Sequence, residues 1–189
     1  MGGRPGEVRL IGGLWKRSKL PVPARPGLRP TPDRVRETLF NWLGQDLTGW
    51  RVLDAFAGSG ALGFEAASRG AAEVTLLERD PVIARGLQAS KQRLNGTMLT
   101  ILCADALAWM SRAAPGRFDL VLLDPPFDAA LGARAADLAA PLVAPTGLLY
   151  VEGREALAPI PAGFEPRRSL RAGAVHAQLL CRGGHGFAP

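Results

Sequence analysis

Cysteine is scarce. Cys103 and Cys181 are the only two in 189 residues, both lie among apolar neighbours, and they form no C-x-x-C motif. They read as two buried free thiols in a reducing cytoplasm. Histidine is equally rare, and neither His176 nor His185 has a partner at metal-ligand spacing, so no metal site is assigned. No apolar run approaches the ~20 residues that a membrane span needs. The start of the chain is charged and lacks the apolar stretch of a signal peptide. No internal repeat and no second globular domain is visible, and the length suits one domain with a sizeable core.

Acidic residues are few where they would balance the front of the chain. Residues 1–36 carry nine Lys or Arg against Glu7 and Asp33, while the remaining 153 residues carry 14 basic and 15 acidic groups. The whole net charge of +6 therefore sits at the front. A concentrated positive segment on a near-neutral body is the footprint of a polyanion binder. Arg9, Lys16, Arg17, Lys19 and Arg34 are the candidates for phosphate contact. Arg36 reads the same way, or as part of an ordinary solvated helix face.

What the chain does have is two loops that each end a strand-like run. The first is Arg51-Val-Leu-Asp-Ala-Phe-Ala-Gly-Ser-Gly-Ala-Leu-Gly63. It reads as strand, glycine turn and helix, the helix running from Ala61 to Arg69. Glycines here allow a tight turn and a close approach to a helix N-terminus. Gly58, Gly60 and Gly63 also match the dinucleotide spacing, with Glu78 near the distance of a ribose-binding acid, so the glycines alone choose no cofactor. Asp54 discriminates. A pyrophosphate at this turn would meet its carboxylate, and like charges repel. S-adenosylmethionine carries an ammonium and a sulfonium instead, and a carboxylate favours both.

The second loop is Phe118-Asp-Leu-Val-Leu-Leu-Asp-Pro-Pro-Phe127. Leu120 to Leu123 suit a buried parallel strand, and Asp124 follows at the end where open α/β sheets bind ligands. Pro125 and Pro126 fix two φ angles and remove two donors. The result is a stiff, acceptor-rich segment with Phe127 as an aromatic face. Such a segment suits methylation of an exocyclic base amine. The Asp124 carboxylate and the Pro125 carbonyl can take its two hydrogens, and Phe127 can stack on the base.

Asp54-x-Phe56-x-Gly58-Ser59-Gly60 resembles motif I of class I S-adenosylmethionine-dependent methyltransferases, and Asp124-Pro-Pro-Phe127 resembles their amino-methyltransferase motif. Leu28-Arg-Pro-Thr-Pro-Asp-Arg-Val-Arg-Glu-Thr-Leu-Phe-Asn-Trp-Leu43 and Ile11-Gly-Gly-Leu-Trp15 are narrower signatures. Together they are similar to the RsmD family of bacterial 16S ribosomal RNA guanine-N2 methyltransferases, from about Glu7 to Cys181. The resemblance implies an α/β, Rossmann-like class I methyltransferase fold. Its sheet has seven mostly parallel strands with helices on both faces, and an N-terminal basic β-hairpin extends from it. It implies S-adenosylmethionine as cofactor, with Asp54, Phe56, Gly58, Ser59, Gly60, Glu78 and Asp105 around it. It implies Asp124, Pro125, Pro126 and Phe127 at the reacting amine, and the Arg29-Pro-Thr31 turn near the methionine end of the cofactor. The implied substrate is the guanine conventionally numbered 966, in 16S RNA of an assembled or partly assembled small subunit. A cytoplasmic monomer with no membrane partner is expected. Rival readings are an adenine- or cytosine-amino DNA methyltransferase, an NAD-dependent oxidoreductase, and a catalytically silent RNA-binding assembly factor. No insert is large enough for a DNA target-recognition domain.

Along the chain, residues 1–28 read as the basic hairpin and linker, and 29–189 as the catalytic domain. In the hairpin, Glu7 to Leu14 alternate loosely, Gly12-Gly13 turn, and Trp15 to Leu20 return, with Trp15 suited to stack on a base or, more simply, to anchor the hairpin. Pro21 to Pro30 reads as an extended linker. Thr31 is placed to cap a helix with Pro32 at its first position, and that helix turns Val35, Leu39, Phe40, Trp42 and Leu43 inward until Gly44. Strands are expected at Val74–Leu77 and Met98–Leu102, with a helix from Asp80-Pro81 turning Val82, Ile83, Leu87 and Leu94 inward. Asp105 suits an adenine contact or a helix N-cap. A helix over Ala129–Val143, a strand at Leu148–Val151 and a final antiparallel pair near Phe164 and Val175–Leu180 complete the order. The βαβα sequence gives a doubly wound sheet.

Overall fold

Alternation within the central apolar runs sets the architecture. In Val52-Leu53, Leu120-Val121-Leu122-Leu123 and Leu148-Leu149-Tyr150-Val151, successive side chains enter opposite cores. A strand buried on both faces reads as a continuous apolar run, and helices must then cover both sides. The computed structural model describes residues 6–23, 31–126 and 129–183. A hairpin of β1 (Gly6–Arg9) and β2 (Lys19–Val22) is followed by α1 (Asp33–Trp42). Then come β3 (Arg51–Asp54), α2 (Ala61–Ser68), β4 (Glu73–Glu78), α3 (Pro81–Arg93), β5 (Leu99–Cys103), α4 (Ala106–Met110) and β6 (Phe118–Leu123). The chain continues with α5 (Ala129–Ala139), a 3₁₀ turn, β7 (Val143–Gly153), β8 (Phe164–Ala172) and β9 (Val175–Arg182).

The seven-stranded sheet has the order β5-β4-β3-β6-β7-β9-β8. Its first five strands are parallel, and β9 and β8 add an antiparallel edge. Helices α1, α2 and α3 pack on one face, and α4 and α5 on the other. The strand order reverses between β3 and β6, so a crevice opens beyond their C-terminal ends. This is the Rossmann-like fold expected from the sequence.

The hairpin is built into the core. Val8, Leu10, Trp15, Leu20 and Val22 are buried in the same apolar cluster as α1, α2 and α3. Trp15 anchors it, with its ring centroid 6.1 Å from that of Phe64. Polar groups fix the docking. Glu65 accepts the N–H groups of Ile11 at 2.8 Å and Gly12 at 2.7 Å. Ser68 Oγ accepts from Trp15 N at 2.8 Å and donates to the Gly12 carbonyl at 2.6 Å.

Several local expectations change. The return strand starts at Lys19, because residues 13–17 form a tight turn in which Arg17 takes φ +70°. Pro21 is inside β2 opposite Glu7, and a two-stranded ribbon tolerates a missing donor at its edge. Thr31 does not cap α1; Pro32 occupies the cap position and no side chain bonds the helix end. Val82 is 39% exposed, whereas Ile83 and Leu87 are buried. Cys103 is exposed and Cys181 half-buried, both as free thiols. The largest change is Arg36, which is fully buried. Its Nη2 donates to Asp33 at 2.6 Å and to the Arg9 carbonyl at 3.0 Å, and its Nε donates to the Thr31 carbonyl at 3.3 Å. Its Nη1 lies 3.6 Å from a Glu65 oxygen, a pairing of charges rather than a hydrogen bond. Glu65 also holds Arg69 at 2.9 Å.

Removing one partner of a buried ion pair leaves an uncompensated charge and costs about 3–5 kcal/mol. Glu65→Ala also releases the Ile11 and Gly12 amides. We expect a loss of stability in at least that range, read as a lowered denaturation midpoint. A change below about 1 kcal/mol would show that the pair does not hold the hairpin.

Candidate active site

Four parallel strands deliver an acid to the same edge of the sheet. β3 ends in Asp54 and β4 in Glu78, β6 leads directly into Asp124, and β7 carries Glu152 one residue before its end. Leu123 pairs with Val151, so Asp124 and Glu152 are next in register. Repulsion from Asp124 and Glu78 raises the proton affinity of Asp54, and repulsion from Asp124 and Asp54 raises that of Glu152.

Asp54 is buried at 1% exposure. Its Oδ2 accepts the Gly63 N–H at 2.9 Å, and the Phe56 N–H also donates to it. Burial is the main cause that pushes its carboxyl up to about 7, with Asp124 and Glu78 adding repulsion. The glycine loop wraps around this acid. Gly60 has φ +78°, and a Cβ there would fall 2.6 Å from Leu87 and 2.9 Å from Phe64. A Cβ on Gly63 would fall 3.0 Å from the Asp54 oxygen it serves. Ser59 is buried and its Oγ accepts from Ala61 N at 3.3 Å. Glu78 locks the loop from the neighbouring strand, because its two oxygens accept Gly58 N at 2.9 Å and Asp80 N at 2.7 Å. Each carboxylate oxygen retains a second lone pair for a ligand hydroxyl.

Asp124 is half-buried, with Pro125 buried and Pro126 exposed beside it. Burial pushes its carboxyl up to about 6, against the Thr31 hydroxyl, which donates to Oδ2 at 3.1 Å. Thr31 therefore serves the site rather than the helix. Glu152 is 2% exposed and accepts the Tyr150 hydroxyl at 2.8 Å. Burial first, then Asp124, pushes it up to about 8, and the Thr31 hydroxyl also acts on it. Burial and the Glu152 charge likewise hold the Tyr150 phenol well above its ordinary range.

The structure thus brings Asp54, Gly58, Ser59, Gly60, Glu78, Asp124, Pro125 and Pro126 to one edge. Phe56 is half-buried and packs on the second core cluster. Asp105 lies beyond β5 at the same edge, exposed, and caps α4 by accepting Ala108 N at 2.9 Å. Phe127 and Arg29 are outside the described residues. Arg9, Lys16, Arg17, Lys19 and Arg34 all have exposed side chains. Sequence reasoning missed Glu152 and Tyr150. The signal was present, since Glu152 closes an apolar strand just as Asp54, Glu78 and Asp124 do.

A Rossmann-like sheet with a glycine loop after its first strand, an acid after the second and Asp-Pro-Pro after the fourth defines the class I methyltransferase. The family described as conserved hypothetical protein 95 matches residues 8–181. Ribosomal RNA small subunit methyltransferase D of Escherichia coli is 40% identical over 96% of this chain and 93% of its own length. The Haemophilus influenzae protein of the same name is 45% identical over 78% of this chain and 79% of its own. The solved Escherichia coli structure of yhhF superposes with a TM-score of 0.85 at 37% identity, covering 95% of this chain and all of that one. This chain belongs to the RsmD family of methyltransferases.

Clustered acids have a stability cost. Asp54, Asp124 and Glu152 hold protons in the fold up to about pH 7, 6 and 8, whereas unfolded carboxyls release theirs near 4. Between those limits the native chain binds more protons than the unfolded one, so stability falls as pH rises through that window. Asp54→Asn removes one contributor. Thermal melts of the ligand-free protein should match wild type near pH 4 and exceed it at pH 8. Equal melting at both would show that Asp54 titrates normally.

Proposed function

We propose that this chain transfers the methyl group of S-adenosylmethionine to the N2 amine of a guanine in 16S ribosomal RNA, at position 966. The coarser statement, a small-subunit ribosomal RNA methyltransferase, carries the name of its family relatives. The observation that supports the finer one is the acceptor-rich Asp124-Pro125-Pro126 turn on the strand next to the glycine loop. The crevice gathers buried carboxyls, and among the described residues no basic side chain bonds Asp54 or Asp124. That donor set fits a cation and opposes a pyrophosphate.

When bound, S-adenosylmethionine supplies an electrophilic methyl on a sulfonium. The residues of the chain do the rest. Asp54, in its charged form, attracts the cationic end. Glu78 offers its remaining lone pairs to ribose hydroxyls. Asp124 and the Pro125 carbonyl take the two hydrogens of the amine and turn its delocalised lone pair toward the methyl. Much of the acceleration then comes from alignment. Asp124 accepts the amine proton, a role that its raised proton affinity suits. Phe127 is assigned the stacking contact on a guanine drawn out of its stack. The basic hairpin is the RNA-contacting extension of residues 1–28, and the substrate is an assembled or partly assembled small subunit in the cytoplasm, met by a monomer.

Asp124→Ala should keep S-adenosylmethionine affinity within a few-fold and lower turnover by orders of magnitude. Near-normal turnover would refute the role of Asp124. The decisive assay offers labelled cofactor with unmethylated small subunits, naked 16S RNA and duplex DNA, and identifies the labelled nucleoside. Label in N2-methylguanosine supports the proposal, and label only in DNA overturns the substrate.

Lys16 and Arg17 are exposed at the hairpin tip while the apolar side of the hairpin is buried, so their charges can be removed without undocking it. The double change to Ala should weaken RNA binding and lower the salt slope by roughly one to two. An unchanged slope would remove the hairpin from the interface.

A further inference from the structure

Of the four acids carried by the ends of β3, β4, β6 and β7, Glu152 is the one that the proposed mechanism leaves without a task. It is more deeply buried than Asp124, yet it is next to Asp124 in register across β6 and β7. Tyr150, two residues earlier on the same face of β7, donates to one of its oxygens at 2.8 Å. The Thr31 hydroxyl acts on both acids. It donates to Asp124 at 3.1 Å and also reaches Glu152. Thr31 itself is held by the buried Arg36, which binds its carbonyl.

We infer that Glu152 is a positioning residue for methyl transfer, acting through Thr31 to fix the orientation of the Asp124 carboxylate. The inference rests on the reading of Asp124 as the group that holds the substrate amine.

A hydroxyl has one hydrogen and two lone pairs. If Thr31 gives its hydrogen to Asp124, then a group on its other side must donate to it or leave it idle. Glu152 can donate only as a neutral acid. Burial and the adjacent Asp124 both favour that form. The chain of bonds then runs one way, with the acid of Glu152 donating to Thr31 and Thr31 donating to Asp124. Tyr150 donates to the remaining Glu152 oxygen. Asp124 Oδ2 is thereby occupied, and Oδ1 is left to face the amine. When Glu152 loses its proton, it competes for the Thr31 hydrogen and places a second negative charge beside Asp124. The groups facing it are Asp124 just after β6, Tyr150 on its own strand, Asp54 on β3 and Thr31 ahead of α1. On β9 the partner in register is Ala177, which carries no charge.

The test compares Glu152→Ala, Glu152→Gln and Thr31→Val in the full chain, with small subunits as substrate and wild type in parallel. Glu152→Ala should lower kcat at least tenfold while the KM for S-adenosylmethionine stays within about threefold. Glu152→Gln, neutral and still able to donate, should recover most of that loss. Wild-type kcat should decline as pH rises through about 8, where Glu152 ionises, and this decline should be absent in Glu152→Gln. Thr31→Val breaks the link without touching Glu152, and should lower kcat to a similar degree. Adding Glu152→Ala to it should cost little more. Three results would overturn the inference: Gln and Ala equally impaired, an alkaline decline that persists in Glu152→Gln, or additive losses in the double variant. Melting curves separate these outcomes from unfolding, and Thr31→Val carries the test if Glu152→Ala does not fold. Failure of the wild type itself to label guanine would sink the functional reading instead.

Discussion

The buried pair of Glu65 and Arg36 is the constraint on which the rest depends. Every residue of α2 is buried, and Glu65 is its one acid. A carboxylate in that position must find partners or be neutralised. It finds the Ile11 and Gly12 amides, Arg69 and Arg36. Arg36 in turn binds the carbonyls of Arg9 and Thr31. Four separate pieces of chain are thereby placed relative to one another: the hairpin, the segment before α1, α1 itself and α2. A buried ion pair adds little net stability compared with apolar packing. What it supplies here is register, because each partner accepts only one arrangement of the others.

That register reaches the crevice. Thr31 is held by Arg36 through its backbone and bonds Asp124 through its side chain. The same residue therefore connects the element that carries the basic surface with the acid at the end of β6. The acids themselves work against the fold. Burial raises the proton affinity of Asp54, Asp124 and Glu152 together. A site optimised for stability would replace at least one by an amide. Retaining all of them makes sense where a cationic cofactor is to be received, since the ligand then supplies the compensating charge.

The sheet was legible because its signals are local and redundant. Apolar runs in 52–53, 120–123 and 148–151, broken by Gly or Pro turns, suit buried parallel strands, whereas the start of β7 at Val143 was read as the end of a helix. The glycine loop and Asp-Pro-Pro were legible because backbone requirements restrict which residues can stand there. Arg36 was misread because the charged run from Asp33 to Glu37 resembles a solvated face. Only its distant partner Glu65, in an otherwise apolar helix, reveals that one of those charges points inward. Thr31 was misread for a similar reason. A threonine ahead of a helix suits a cap, and nothing nearby shows that Asp124, 93 residues away, bonds it instead. Glu152 was passed over because the strand expected at Leu148–Val151 stopped one residue short of it, whereas β7 runs on to Gly153 and makes it the fourth acid in a repeated position.

The hairpin shows how a basic segment can be both anchored and available. Its docking consumes backbone groups of Arg9, Ile11, Gly12, Leu14 and Trp15, together with apolar side chains. The charged side chains take almost no part, apart from Lys19 bridging to Glu7 at 2.7 Å. Arg9, Lys16 and Arg17 therefore remain in water on a rigid support, with Leu14 77% exposed beside them. A flexible basic tail would lose conformational entropy on meeting a polyanion. Here most of that entropy is already lost on folding, so the charges at the tip keep a fixed geometry relative to the crevice.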